Sequence, residues 1–412
     1  MCAICDVSYP PDKIIWKEIT KSKPRLWKIK RLLRISGANP NATTRSGAGV
    51  DTLLHKAVRM NDFTIVDMLI IHGARLEEVA YDGTTALGYA CLHSQKKIVT
   101  FLVEMGYNLS HVMPGGETIL TWIVKDERRW PSLPDLLQSI ARSEKERLEG
   151  VNKDGLNCLQ IVIRDGLRGA WDILTQYGFP IDAPTSQGSP SLHFACTISK
   201  PRAVRRLLEE GGSIAGRDKL RRTPLLVAVI VRSAECTKVL LEYILNLPKS
   251  SQRARLNDYD VDGNTAVHYG TCNARGGQLE LLLGAGCNPD TLNKKGLAAM
   301  HIAATEGNAK TMSILIEGGA DVEVADVDGR TAMHRALARG YGDVVRLLLA
   351  AGASSIGSDT MGVTPLMAAK VNYWSGKIGH RILQDIHAVE RTAEANRELQ
   401  QTRKRVKSLN LS

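Results

Sequence analysis

Phenylalanine is scarce in this sequence, and long apolar runs are missing from it. Only 4 of the 412 residues are Phe, a composition that fits thin layers of Leu, Ile, Val and Ala better than one thick globular core. A membrane-spanning helix needs a run of about 18 apolar residues or more, and the sequence contains none. The first residues, MCAICDVSYPPDK, lack the charged start and the apolar stretch of a secretory signal. We therefore expect an intracellular protein, cytoplasmic, nuclear or both, without a membrane span.

The sequence also lacks the patterns of metal sites and of common catalytic centres. Its 8 cysteines are scattered without a disulfide-like spacing, so a reducing compartment is expected. Cys2 and Cys5 form a C-x-x-C pair, but a structural zinc site needs four ligands and no second pair stands nearby. Phosphate-binding loops, G-x-S-x-G elbows and H-E-x-x-H helices do not occur. The sequence therefore predicts a protein that is not an enzyme and holds no metal or cofactor.

A repeat of 33 residues organises most of the chain. Its marker is the residue two positions after the turn glycine of each unit. The ten markers are Thr52, Thr85, Thr118, Asn157, Pro190, Thr223, Thr265, Ala298, Thr331 and Thr364. Two intervals are longer, at 39 and 42 residues, which predicts insertions near residues 127–148 and 246–259. Self-similarity at this period indicates stacked units of one supersecondary structure.

Each unit has the pattern of a turn followed by two short antiparallel helices. The turn glycine, present in eight of the ten units, takes positive φ without steric cost. Val50 and Arg221 replace it in the other two units. The marker hydroxyl caps the first helix, and a pair such as Gly352-Ala353 ends the second. No unit buries its apolar face alone, so neighbouring units must stack into a continuous core.

These units resemble the ankyrin-repeat family. The strongest matches to its pattern are RTPLL at residues 222–226, TAVH at 265–268, TAMHRA at 331–336 and TPLMAA at 364–369. The resemblance implies an all-α ankyrin solenoid with β-turn tips that binds protein partners through its turn tips and inner helices. It also implies that a recurring histidine hydrogen-bonds between neighbouring turns and helices. Equivalent positions of stacked repeats lie roughly 8–10 Å apart, too far to share a metal ion. This histidine occurs at His55, His193, His268, His301 and His334.

The repeat register predicts four segments. Residues 1–11 form a flexible start, and residues 12–45 form a degenerate, basic capping repeat. Residues 46–385 form the ankyrin-like array, and residues 386–412 form a charged helical tail. Insertions in solenoids often map to a binding face, but they are also tolerated because loop closure entropy grows slowly with length. Both interpretations of the two insertions remain open.

The net charge of +11 is located at the two ends of the chain. Residues 1–50 hold 10 Lys or Arg against 3 Asp or Glu, and residues 377–412 hold 8 against 4. The basic capping repeat fits either the polar outer face of a terminal repeat or a nuclear-import or anion-contact patch. Positive ends attract nucleic acid, anionic membranes or acidic partners. The neutral centre argues against a nucleic-acid groove along the array.

One apolar cluster occurs at concave positions of the fifth and sixth units, where most equivalent positions are polar. Exposed contiguous apolar surface marks interaction sites, so we predict a partner site here. The alternative is that the sixth unit, which lacks its turn glycine, is tilted and buries these side chains internally. The candidate partner-binding residues are the cluster itself, two flanking arginines and one turn-tip tyrosine: Ile198, Leu220, Ile230, Val231, Arg221, Arg222 and Tyr81.

The sequence favours a monomeric, non-enzymatic scaffold or adaptor that binds a protein partner on the concave face of the solenoid. The first alternative is a nuclear regulatory factor that contacts nucleic acid or acidic partners through the basic ends. The second is an enzyme whose site is hidden on the concave face, with side chains from different repeats. No motif specifies which protein the partner is.

Overall fold

The computed structural model describes residues 10–21, 23–46, 49–142, 150–272 and 277–371, together with residues 384, 386–388 and 391. Within these ranges the chain forms 22 α-helices, one 3₁₀ helix and one two-stranded hairpin. The all-α class expected from the sequence is confirmed. Most of the predicted flexible start and nearly all of the predicted helical tail lie outside the described residues, and these two predictions stay predictions.

The chain divides into two compact units, which are described separately. Unit 1 comprises Met1–Ala195 and Glu210–Gly212, and unit 2 comprises Cys196–Glu209 and Ser213–Ser412. Among the described residues, no helix is long and apolar enough to cross a membrane.

Unit 1 contains the hairpin, the 3₁₀ helix and the first helices. The hairpin pairs β1 (Thr43–Ser46) with β2 (Gly49–Thr52), in antiparallel register. The 3₁₀ helix is Glu127–Ser132. The helices are α1 (Pro11–Ile19), α2 (Leu26–Arg34), α3 (Leu53–Arg59), α4 (Phe63–Ile71), α5 (Ala86–Leu92), α6 (Lys96–Glu104), α7 (Ile119–Val124), α8 (Leu133–Arg142), α9 (Cys158–Asp165) and α10 (Arg168–Gln176).

Helix α11 (Ser191–Thr197) holds residues of both units, and the remaining helices belong to unit 2. They are α12 (Pro201–Glu209), α13 (Pro224–Ile230), α14 (Ala234–Leu245), α15 (Lys249–Leu256), α16 (Ala266–Thr271), α17 (Gly277–Gly284), α18 (Ala299–Glu306), α19 (Ala309–Glu317), α20 (Ala332–Arg339), α21 (Gly342–Ala350) and α22 (Pro365–Val371).

Both predicted insertions contain helix in their described parts. The first includes the 3₁₀ helix and α8, and its residues 143–148 lie outside the described residues. The second includes α15, whose Leu256 is buried while Lys249 and Arg253 are exposed. Leu256 is thus the buried residue of a basic helix, which Gln252 also ties to the carbonyls of Leu245 and Leu247.

The turn glycines adopt the conformation that the repeat pattern requires. All eight have φ between 69° and 81°, in the left-handed region that side chains disfavour. At Gly263 a Cβ atom would lie 2.8 Å from the backbone nitrogen of Lys294 in the next turn, so the close approach of neighbouring tips also requires glycine. Arg221 keeps the left-handed conformation with φ 59° although it has a side chain.

Neighbouring turn tips in unit 2 are joined by backbone hydrogen bonds at equivalent positions. The amide of Lys294 donates to the carbonyl of Asp262 over 2.9 Å, and the amide of Thr360 donates to that of Asp328 over 3.0 Å. Because these bonds use only backbone atoms, they place few demands on the tip side chains.

The recurring histidine links consecutive repeats, as the family resemblance implies. The Thr265 amide donates to Nδ1 of His268 over 3.1 Å, and Nε2 of that ring donates to the Leu297 carbonyl over 2.9 Å. His301 and His334 repeat this arrangement. The structural role predicted for these three histidines is confirmed, and it requires a neutral ring with the proton on Nε2.

Burial lowers the pKa of His268 and His301 from the ordinary value of 6.5, against smaller opposing effects of their backbone partners. The unfolded chain takes up protons on these imidazoles near pH 6.5, whereas the folded protein resists protonation. The free energy of unfolding should therefore fall as the pH drops below about 7, by up to about 1.4 kcal/mol per pH unit for each histidine.

We expect the double variant His268→Gln/His301→Gln to flatten this dependence between pH 7 and pH 5. Gln160 occupies the same position in the fourth repeat, where Oε1 accepts from the Asn157 amide over 2.9 Å and Nε2 donates to the Ala183 carbonyl over 3.3 Å. Thermal unfolding of wild type and variant across this range measures the effect. Equal slopes for both proteins would contradict the assignment.

Candidate functional site

The sequence singled out four apolar residues of unit 2 as one candidate surface, and we call them the sixth-repeat patch. Leu220 lies in the turn before α13, where 49% of its side chain is exposed. The other members are half-buried. They lie after α11, at the last residue of α13 and at its C-cap, and are Ile198, Ile230 and Val231. Leu220 is therefore the one prominently exposed side chain among the four.

The turn of the sixth repeat keeps the regular tip-to-tip register. The Val261 amide donates to the Leu220 carbonyl over 3.1 Å, which is the bond that joins the later tips. Arg217 reinforces it, because Nη1 donates to the carbonyls of Arg221 over 3.0 Å and Tyr259 over 2.8 Å. The alternative of a tilted sixth unit gains no support from this geometry, although three of the side chains are partly covered.

The two flanking arginines differ in their availability. Arg222 forms a 2.7 Å ion pair with the buried carboxylate of Asp218. Burial alone would raise the pKa of Asp218, but the bonds from Arg222 and nearby amides lower it overall. Arg221 is exposed, and no carboxylate in the described part of the chain pairs with it. Arg222 is therefore committed to the turn, whereas Arg221 is available to an acidic group of a partner.

Tyr81 belongs to unit 1 and takes part in a separate cluster. Its ring, on a side chain that is 47% exposed, lies 5.4 Å from the guanidinium carbon of Arg59. The same guanidinium lies 4.2 Å from the ring centre of Tyr89 and pairs with Asp51 over 2.6 Å. Burial and a hydrogen bond to Asp82 raise the pKa of Tyr89, so its hydroxyl stays protonated. Tyr81 is thus part of a cation–π cluster within unit 1.

Sequence reasoning missed a cavity of about 440 Å³ at the ninth and tenth repeats. Its charged walls include Arg330 and Arg335, which pair with Asp359 over 3.3 Å and with Asp326 over 2.5 Å. The exposed Arg339 also lines it. Arg339 stands at an inner-helix position of its repeat, but the sequence does not show that it lines one cavity with Arg330 and Arg335 of the same repeat.

The described residues contain no group of three or more His, Cys, Asp or Glu side chains arranged to hold a metal ion. Six cysteines there are unpaired, and five of these are buried. Burial raises the pKa of Cys158 and Cys236, which leaves their thiols protonated. The surfaces described above offer apolar contact, hydrogen bonds and charge, which is the chemistry of recognition.

A family model of ankyrin repeats, in 3 copies, matches residues 21–112, 192–283 and 273–359, which is more than half of the chain. An ankyrin repeat protein of Acanthamoeba polyphaga mimivirus is 25% identical over 220 residues, or 52% of this chain and 27% of that protein. The human transient receptor potential cation channel subfamily A member 1 is 24% identical over 161 residues, or 39% of this chain and 14% of the channel.

Among solved structures, the ankyrin repeat domain of Bcl-3, a member of the IkappaB protein family, superposes with a TM-score of 0.50. It is 27% identical in sequence, and the match covers 56% of this chain and 99% of that domain. The chain thus spans about a quarter or less of the length of the two sequence relatives, whereas it covers the Bcl-3 domain almost completely.

The left-handed Arg221 yields a stability prediction. This conformation costs an ordinary L-residue about 1–2 kcal/mol, and a glycine there adds unfolded-state entropy worth about 0.4–1 kcal/mol. We expect Arg221→Gly to raise the free energy of unfolding by up to about 1 kcal/mol. Urea denaturation measures it, with Gly329→Ala as the reverse control, expected to destabilise because its Cβ would lie 3.0 Å from the Thr360 nitrogen. A destabilised Arg221→Gly variant would show that the arginine side chain supports the turn.

Proposed function

The chain belongs to the ankyrin-repeat family, and from this premise we propose that it is a non-enzymatic scaffold or adaptor that binds a protein partner through the sixth-repeat patch. Ankyrin repeats are generally protein–protein interaction modules. The observation that carries the proposal is the exposed Leu220 beside the unpaired Arg221 on a turn whose backbone is fixed at several points.

A fixed turn favours binding because little conformational freedom is lost when the partner docks. The carbonyls of Leu220 and Arg221 both accept hydrogen bonds from the chain itself, so the free protein already holds the turn in one conformation. The side chain of Leu220 then acts as an apolar anchor, with Ile230 and Val231 supplying partial surface at the end of α13. The partner needs a pocket for this leucine.

The arginines beside the patch also affect how a partner is oriented when it binds. Arg221 is free to pair with a carboxylate of the partner, whereas Arg222 is held by Asp218. A rim charge of this kind affects mainly the rate of association and the choice of partner. We therefore propose a partner surface that combines an apolar pocket with an acidic residue at its edge.

The test is affinity capture from the source cell with wild-type protein and two variants. Leu220→Glu adds a charge to the patch at an exposed site, so the fold is expected to survive. Val327→Glu is the matched control, because Val327 is an apolar turn-tip residue that is 70% exposed in a different repeat of unit 2. We expect Leu220→Glu to weaken binding of the captured partner at least about tenfold, and Val327→Glu to leave it unchanged.

The affinities are then measured with the purified partner, after circular dichroism has established that both variants are folded. Equal affinity of wild type and Leu220→Glu would remove the sixth-repeat patch as the binding site. Equal loss in both variants would indicate a general effect of negative charge on the tips, which also contradicts the proposal.

A further inference from the structure

The outer face of α2 in unit 1 carries an uncompensated positive charge. Residues 19–50 contain 8 Lys or Arg and no Asp or Glu. Glu18, the nearest acid before them, is buried and pairs with Lys21 over 2.6 Å and with Lys28 over 3.6 Å. In the described part of the chain no carboxylate pairs with the side chains of five further cations of this segment, which are Lys23, Arg25, Lys30, Arg31 and Arg34.

The helical periodicity gathers three of these cations around a tryptophan. At about 100° per residue, Trp27, Lys30, Arg31 and Arg34 fall within an arc of about 100° on α2, and all four are exposed. The opposite side of the helix is apolar and buried through Ile29, Leu32 and Leu33.

The buried side anchors α2, so its outer face is presented by an ordered element. The helix packs on α1, whose Trp16 is buried and donates from Nε1 to the Ala42 carbonyl over 3.2 Å. Ile29 is fully buried beneath it. Substitutions on the outer face therefore alter the surface without removing these core contacts.

Apolar side chains are exposed beside the cations. Trp27 is 55% exposed, Leu26 is 39% exposed, and Ile35 is 76% exposed. Ile35 is the C-cap of α2, and at about 100° per residue its position lies next to that of Arg31 and outside the buried stripe.

We propose that the outer face of α2, formed by Trp27, Lys30, Arg31, Arg34 and Ile35, binds the surface of a membrane that contains anionic phospholipids. Lys and Arg side chains are attracted by anionic headgroups, and tryptophan favours the boundary between headgroups and acyl chains. Interfacial helices combine basic residues with Trp and aliphatic residues in this way. The contact is peripheral, and it is independent of the sixth-repeat patch.

Nucleic acid is the competing polyanion, and the apolar residues favour the membrane over it. Phosphate contacts use the cations, and bases stack on aromatic rings, so Trp27 and the arginines fit both ligands. A phosphate backbone offers little apolar contact to the side chains of Leu26 and Ile35. A lipid boundary removes their apolar surface from water, which is favourable.

The experiment measures co-sedimentation of the full chain with phosphatidylcholine vesicles, with and without phosphatidylserine, at physiological ionic strength. We expect binding that requires phosphatidylserine. Each Lys or Arg near an anionic surface contributes roughly a fivefold gain in binding, so Lys30→Gln/Arg34→Gln should weaken it about 25-fold. The matched control is Lys249→Gln/Arg253→Gln, which removes the same charge from exposed positions of α15 and should bind like the wild type.

Trp27→Ala tests the apolar part of the contact at constant charge. We expect it to weaken vesicle binding several-fold. Unchanged binding would overturn the proposal, because it would show that nonspecific charge attraction alone accounts for the contact. The proposal also fails if wild type does not bind phosphatidylserine vesicles, or if both double variants lose binding equally. Absence of vesicle binding together with tight, α2-dependent binding of a single-stranded oligonucleotide would assign the face to nucleic acid instead.

Discussion

Hydrogen bonds between consecutive repeats hold the turns and helices of unit 2 in their stacked positions. The His268 imidazole joins its own helix start to the carbonyl of Leu297 in the following repeat, and the Lys294 amide joins its turn to Asp262. Both kinds of bond recur at the period of the sequence. Short helices that are marginal alone are thereby held in a stack whose core is built from medium-sized apolar side chains.

The link between turns uses only backbone atoms, which leaves exposed side chains at the tips available for recognition. A turn needs left-handed backbone at one position and a side-chain oxygen that accepts turn amides, as Asp326 does, but the residues between them at the tip vary. Leu220, Val327 and Thr360 are all exposed at turn tips, although their side chains differ in chemistry. Differences of this kind let a common fold bind different partners, which is why the fold alone does not identify the partner.

Local rules predicted the repeat well because each rule concerns a few neighbouring residues. The turn glycines, the helix-starting residues such as Thr223 and the bridging histidines adopt the conformations expected of them. Two features escaped the same rules. Arg221 takes a glycine conformation that its residue type does not suggest, and Tyr81 stacks near Arg59 across a sequence separation of 22 residues.

The sequence by itself determined the repeat, its turns and its caps, because a period of 33 residues brings equivalent residues into equivalent places. It also determined that positive charge concentrates near the start of the chain. Only the tertiary structure decided which of these side chains reach solvent and which are paired. Asp218 captures Arg222 but not Arg221, and Glu18 neutralises Lys21 but not Lys30. Ion pairing and exposure depend on distances between side chains, and these distances exist only once the repeats are packed together.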